Sequence, residues 1–227
     1  MILLAIDTAA SLCAACVHDR GTGAEPGREV LDIGKGHAER LIGVIESALE
    51  RAGLAYADLD RIGVSIGPGS FTGVRVGVAT ARGLALALGI PAVGINTLEA
   101  LAAEARADFP DRSILAVIDG RRGDLYCAAY APDGAILSAP AAISTTDAVS
   151  LARRYDAAIT GNGADTVLGV AGNVLFDTGL RGATADISFY VRLAADREIT
   201  NEKPKPLYLR GADAKPQSGF ALARAGN

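Results

Sequence analysis

The chain has 227 residues, half of them hydrophobic and 21% charged, with a formal net charge of −4. That composition can bury a sizeable core in one large domain or two small ones, and it excludes an intrinsically disordered chain. The acidic balance and the lack of any basic run argue against a protein that grips RNA by itself through phosphate contacts, so any RNA role is expected to be indirect.

Taken in chain order, residues 2–6 (ILLAI) form a continuous apolar run, the pattern of a strand covered on both faces. Asp7 interrupts the run and no cationic segment precedes it, so a buried strand is expected there and not a signal peptide. After a polar turn to Ser11, residues 12–18 return as a second strand, and Gly21, Gly23, Pro26 and Gly27 mark a loop. The stretch 37–52 reads as a helix with Leu41, Ile45, Ala48 and Ala52 on one face and Gly53 as its C-terminal cap. A strand at 60–66 ends in the glycine-rich turn 67–69, a second helix runs over 70–88, and another buried strand covers 90–95. Thr97 is the expected N-cap of a helix over 98–107. No uncharged apolar stretch reaches the roughly 18 residues of a membrane-crossing helix, and the expected location is the cytoplasm.

Pro110 and Asp111 mark a boundary, giving expected lobes at 1–109 and 110–227. Beyond it, ILAVIDGRRGDLYCAAY (114–130) repeats the pattern of LLAIDTAASLCAACV (3–17): an apolar strand ending in Ile-Asp, a polar turn, then an apolar strand. The reading is an internal duplication in which Asp7 and Asp119 take the same place; two unrelated hairpins are the alternative. The second half continues with a turn at Pro132-Asp133-Gly134, a strand near 135–138, a helix near 146–154, a strand at 157–160 and a last helix over 185–197. Pro204, Pro206 and Pro216 favour extended chain near the C-terminus, with the final residues frayed.

The most distinctive segment is Gly67-Pro68-Gly69-Ser70-Phe71-Thr72-Gly73, a strand-to-helix turn. Free N–H groups and the positive end of the helix dipole suit a phosphate there, with Ser70 or Thr72 as cap; a tight turn with no ligand reads equally well. The loop lacks the Gly-Lys-Ser/Thr ending of a Walker A loop, and Thr72 stands where a Rossmann fingerprint needs glycine. Gly69, Gly73 and Gly77 share one helix face, and interior glycine costs about 0.5–1 kcal/mol relative to alanine. Another backbone is therefore expected close by: the chain's own first helix or a partner's helix. The two aspartate turns could hold a nucleotide's phosphates in one cleft, or each acid could cap its own turn.

Other patterns carry less. Gly63-Val64-Ser65-Ile66-Gly67 matches a hydrolase elbow, but His18 and His37 both precede Ser65, so the later histidine is missing. Cys13 and Cys16 sit mid-strand, where residues three apart face opposite sides; with Cys127 they read as buried apolar cysteines and suggest no disulfide framework. Arg122-Gly123-Asp124 reads as turn chemistry, and His37 as a helix-start residue more than a ligand.

Together, LLAIDTA, HAERL, GPGSFTGVRVGVATARGLALALGIPAVGINTLEAL, IDGRRGDLYCAAY and PLYLR resemble the TsaB (YeaZ) family over nearly the whole chain. The resemblance implies an α/β fold of two duplicated lobes of the acetate kinase–Hsp70–actin type, the second shortened. It implies a non-catalytic partner of the related catalytic subunit TsaD, which with the P-loop ATPase TsaE forms N6-threonylcarbamoyladenosine at position 37 of ANN-decoding tRNAs. TsaD carries a metal-binding His-x-x-x-His where this chain has Ile95-Asn96-Thr97-Leu98-Glu99-Ala100-Leu101, with Thr97 and Leu101 at the histidine positions. Leucine cannot ligate a metal and threonine replaces imidazole poorly.

The resemblance places subunit pairing on helices 37–52 and 70–88, with His37, Leu41, Ile45, Gly73, Arg75 and Gly77 as expected contacts, or a homodimer on the same face when TsaD is absent. Asp7, Thr8, Ser11, Gly67, Gly69, Ser70 and Gly73 are the candidate nucleotide site. No catalytic or metal residue, no tightly bound cofactor and no membrane are expected; ATP or ADP with magnesium would sit at the junction with partner subunits, and tRNA would be met through the complex. A stand-alone ATP-dependent kinase or a peptidase of the same fold is the alternative.

Overall fold

The computed structural model describes residues 1–121, 123–200 and 202–210. The expectation for Pro216 and the final residues, and Arg122 of the Arg-Gly-Asp triplet, lie outside the described residues.

In the first half β1 (Ile2–Asp7), β2 (Leu12–Asp19) and β3 (Ala24–Asp32) form an antiparallel meander, and β4 (Arg61–Ser65) and β5 (Ala92–Ile95) add in parallel, giving the order β3-β2-β1-β4-β5. Helices α1 (His37–Ala52) and α2 (Phe71–Leu88) cover one face. The second half repeats the scheme. Strands β6 (Ile114–Asp119), β7 (Leu125–Tyr130) and β8 (Ile136–Ile143) form the meander, β9 (Ala158–Thr160) pairs in parallel with β6, and the order is β8-β7-β6-β9. Helices α4 (Thr145–Arg154) and α5 (Ala164–Val170) cover its outer face. This duplicated strand order is that of the acetate kinase–Hsp70–actin class.

Two helices lie between the sheets, and each serves the opposite half. Helix α3 (Thr97–Ala105) packs on β6 and β7, whereas α6 (Ile187–Asp196) packs on β1, β2, β4 and β5. The unbroken apolar run of β1 follows from this. Leu4 and Ile6 meet α1 and α2, while Leu3 and Ala5 meet the shared middle layer. Cys13 and Cys16 fall on opposite faces of β2 for the same reason, and burial pushes their thiols up to about 11 and about 12. Arg61, itself buried, fixes α6 in place: its Nη1 donates to the carbonyls of Ala194 (2.7 Å), Ala195 (3.1 Å) and Arg197 (2.9 Å). The free end of a helix is thereby satisfied by a cation from the other half of the chain.

Two local expectations are corrected, and one helix was not anticipated. Pro26 and Gly27 belong to strand β3 and not to a loop. β3 is an edge strand, and Pro26 lies in a bulge where the register slips between Val17 and Asp19, so its missing N–H breaks no ladder bond. Pro140 occupies the same place in edge strand β8, beside the slip between Cys127 and Ala129, which extends the duplication to a third strand. Gly27 is required because a Cβ there would overlap the Ala48 carbonyl of α1. Asn96, and not Thr97, caps α3, its side chain accepting from Leu98 N at 2.8 Å. Helix α5, seven residues long, had no periodicity long enough to announce it.

Candidate functional site

The carboxyl ends of β1, β4 and β5 converge where ligands of open α/β sheets usually bind. Here the chain's own groups meet there. Asp7 is 1% exposed. Its Oδ1 accepts from Ala9 N at 2.9 Å and its Oδ2 from Thr184 Oγ1 at 2.6 Å. Thr184 Oγ1 lies 2.7 Å from the hydroxyl of Tyr190 on α6. Burial raises the Asp7 carboxyl above its ordinary value, and hydrogen bonds from Ser65, Thr184 and Ala9 only partly offset that. Burial also raises the Tyr190 phenol well above its usual range. The Asp7 carboxyl thus sits in a buried cluster of hydroxyls delivered by both halves of the chain.

The glycine-rich turn closes over this cluster. Ser70 caps α2, accepting from Gly73 N at 3.2 Å. The Ala9 carbonyl accepts from Ser70 N at 2.6 Å, so a backbone oxygen of the β1–β2 turn already lies at the helix start. A Cβ at Gly69 would overlap Ala9 O, one at Gly73 would overlap Thr8 O, and one at Gly77 would come within 2.5 Å of Thr8 Oγ1. Thr8 Oγ1 donates to Gly73 O at 2.8 Å. The backbone that the glycine face anticipated is therefore the chain's own β1–β2 turn, neither its first helix nor a partner.

This placement corrects part of the expected nucleotide site. Asp7, Thr8, Gly67 and Gly73 are buried with their polar groups bonded within the protein, Asp7 to Ala9 and Thr184, Thr8 to Gly73, and Gly67 O to Thr97 N; Ser11, Gly69 and Ser70 are exposed. The interior of the cluster does not fit a nucleotide phosphate. Asp119 contrasts with Asp7: it is exposed and its Oδ1 accepts from Arg121 N at 2.8 Å, so each acid caps its own turn. Ser65, the elbow serine, is fully buried.

The expected pairing contacts are corrected too. Leu41 and Ile45 lie inside the core between α1 and the first sheet, and Gly73 and Gly77 lie against Thr8. His37 is buried, with Nε2 3.1 Å from the Leu12 carbonyl. Only Arg75 of that set faces outward. The apolar periodicity identified the helices, but the periodic residues are the ones each helix buries against its own sheet.

What remains outside is unusual for so apolar a helix. Of the 18 residues of α2, only Gly73, Val74, Gly77, Val78 and Ala81 are buried. Arg75, Ala79, Arg82, Gly83 and Leu86 are exposed at helical spacing, Leu86 at 78%. Phe71 is 58% exposed at the helix start, and Ile42 on neighbouring α1 is 46% exposed. The Arg75 guanidinium lies 3.6 Å over the Phe71 ring and its Nε donates to the Tyr208 hydroxyl at 2.8 Å. The sequence reading assigned no role to Thr184 and Tyr190, and it quoted Tyr208 only within PLYLR; no local pattern marks that Thr184 would meet Asp7, 177 positions away, or Tyr208 Arg75, 133 away.

Comparison with known proteins gives consistent relatives. The family described as TsaD, tRNA N6-adenosine threonylcarbamoyltransferase, matches residues 31–195. An uncharacterized protein of Mycobacterium leprae is 42% identical over 151 residues, covering 64% of this chain and 40% of that protein. The tRNA threonylcarbamoyladenosine biosynthesis protein TsaB of Escherichia coli is 35% identical over 133 residues, covering 59% of this chain and 56% of that protein. The chain thus spans about half the length of the curated relatives it matches. A solved structure from Pseudomonas aeruginosa, described as an uncharacterized protein with similarity to peptidase YEAZ, superposes with a TM-score of 0.79 at 26% identity, covering 92% of this chain and 99% of that one.

Proposed function

The chain belongs to the TsaB/YeaZ family, and from that premise we propose that it is a non-catalytic partner subunit in forming threonylcarbamoyladenosine in tRNA. The observation that carries this reading is the outer face of α2: an apolar helix with eight of its 18 residues exposed and five buried. A face of that character is the kind a folded partner covers, and Ile42 of α1, a helix on the same side of the sheet, is exposed as well. The partner is a TsaD-like subunit, joined by a TsaE-like ATPase; tRNA is met through the assembly, and the same face pairs two copies when the partner is absent. Phe71, Arg75, Ala79, Leu86 and Ile42 replace the buried residues first expected at this interface.

The non-catalytic part of the proposal rests on residue chemistry. Thr97 and Leu101, at the positions of the metal-binding histidines of TsaD-like chains, are fully buried. Leu101 packs in the middle-layer core with no exposed surface. The Asp7 cluster is closed by Thr184 and Tyr190.

The test is a pull-down with the TsaD-like subunit of the same organism. Leu86→Glu and Ala79→Glu, both on exposed positions, are expected to weaken pairing at least about tenfold, as charges do at an interface centre, with the melting temperature of the isolated chain unchanged. Wild-type pairing by both variants would refute the face. Threonylcarbamoylation of tRNA by the purified chain alone would refute the non-catalytic role.

A further inference from the structure

Residues 202–210 form no helix or strand, yet successive positions are tied to separate elements of both halves. Pro204 is buried against Gly94 of β5. Leu207 N donates to Ile66 O at 2.8 Å, just beyond β4. Tyr208 accepts from Arg75 Nε at 2.8 Å, and its ring lies 5.7 Å from that of Phe71 on the first turn of α2. Arg210 then crosses to the second sheet: its Nη2 donates to Arg121 O at 2.9 Å and pairs with Asp124, both in the β6–β7 turn. The segment therefore runs over the carboxyl ends of the first sheet's parallel strands and ends on the turn that duplicates the Asp7 turn.

We infer that residues 204–210 are a clasp that couples the β6–β7 turn of the second lobe to the first turn of α2. Through it the second lobe sets the position of Phe71 and Arg75, which begin the exposed face of α2. The physical basis is a chain of modest, partly solvated ties. Tyr208 is 52% exposed, and exposed ion pairs and cation–π contacts are each weak. Such a segment opens locally at far lower cost than the sheets. When it opens, Arg75 loses its hydroxyl partner and Phe71 loses the Tyr208 ring beside it, while Leu209 leaves the rim of the middle-layer core and the strand pairing of the sheets is kept. By thermodynamic reciprocity, a change at the β6–β7 turn must then be felt at α2, and the reverse.

Amide hydrogen exchange on the full chain, without any partner, tests the coupling. Asp124→Ala and Arg210→Ala alter the second-lobe end of the clasp and touch nothing on α2. Both are expected to speed exchange of amides at 73–76 roughly tenfold, the factor corresponding to about 1.4 kcal/mol, with amides of β1 and β4 unchanged. Tyr208→Ala is expected to do the same at 73–76 and also to speed exchange at Gly120 and 125–126, whereas Tyr208→Phe, which keeps the ring and loses the hydroxyl, gives a smaller effect. Unchanged exchange at 73–76 in Asp124→Ala and Arg210→Ala overturns the coupling, and so does uniform acceleration that includes β1 and β4, which would mean general destabilisation. Because no partner enters the measurement, its failure leaves the pairing role untouched, and failure of pairing leaves the clasp untouched.

Discussion

Asp7 shows how one residue type can serve opposite ends. In a strand-end turn an aspartate usually remains hydrated and caps the N–H two positions on, as Asp119 does. Asp7 makes the same cap to Ala9 but is enclosed by Ser65, Thr184 and Tyr190, so burial raises its carboxyl above the ordinary 3.8. The sign of the consequence follows from linkage. Between 3.8 and the raised folded value the native state binds more proton than the unfolded chain, so this group's contribution to stability falls as pH rises through that window and is constant above it. Burial does not always win: Asp186 is held below its usual value despite burial because Arg28 and Ser188 donate to it. The difference between wild type and Asp7→Asn isolates the effect. As pH is lowered from 7 towards 4, wild type is expected to gain on the variant in thermal melts, by at most about 1.4 kcal/mol per pH unit. A flat difference would show that Asp7 titrates normally.

At the scale of the element, α2 has two faces with different duties. Its glycine stripe admits the β1–β2 turn so closely that a side chain at Gly69 or Gly73 collides with backbone oxygen, which cannot swing aside, and one at Gly77 meets the Thr8 hydroxyl. Gly73→Ala is therefore expected to destabilise the isolated chain by about 1–3 kcal/mol, the usual cost of overpacking, read as a lower denaturant midpoint with unchanged slope. Stability equal to wild type would mean that the turn yields. Helical propensity would predict the reverse, since alanine improves an ordinary helix by about 0.5–1 kcal/mol; the close approach decides the sign. The opposite face carries Ala79, Gly83 and Leu86 into solvent. Sequence spacing located both faces of this helix but could not say which was inside, because glycine, alanine and valine occur on both.

For the whole molecule, the exchange of α3 and α6 between the sheets makes the halves interdependent. Leu3, Ala5 and Cys16 of the first sheet share one core with Ile114, Ala116 and Tyr130 of the second through these helices. Arg61 and the Arg28–Asp186 pair bind α6 to the first half from both ends. A fragment of residues 1–109 keeps its strands but lacks α6, and is expected to show no cooperative thermal transition, whereas the full chain melts in one. A sharp transition in the fragment would show that the first lobe folds alone. The chain by itself determined the strands other than β3, the main helices, the cap at Gly53 and the hairpin duplication, because these rest on periodicity and turn chemistry within a few residues. Only the tertiary structure decided that α6 serves the first sheet, that Thr184 and Tyr190 close over Asp7, and that the glycine stripe faces inward. Each of those depends on which distant segment arrives at a surface, and local pattern records only that a surface needs covering.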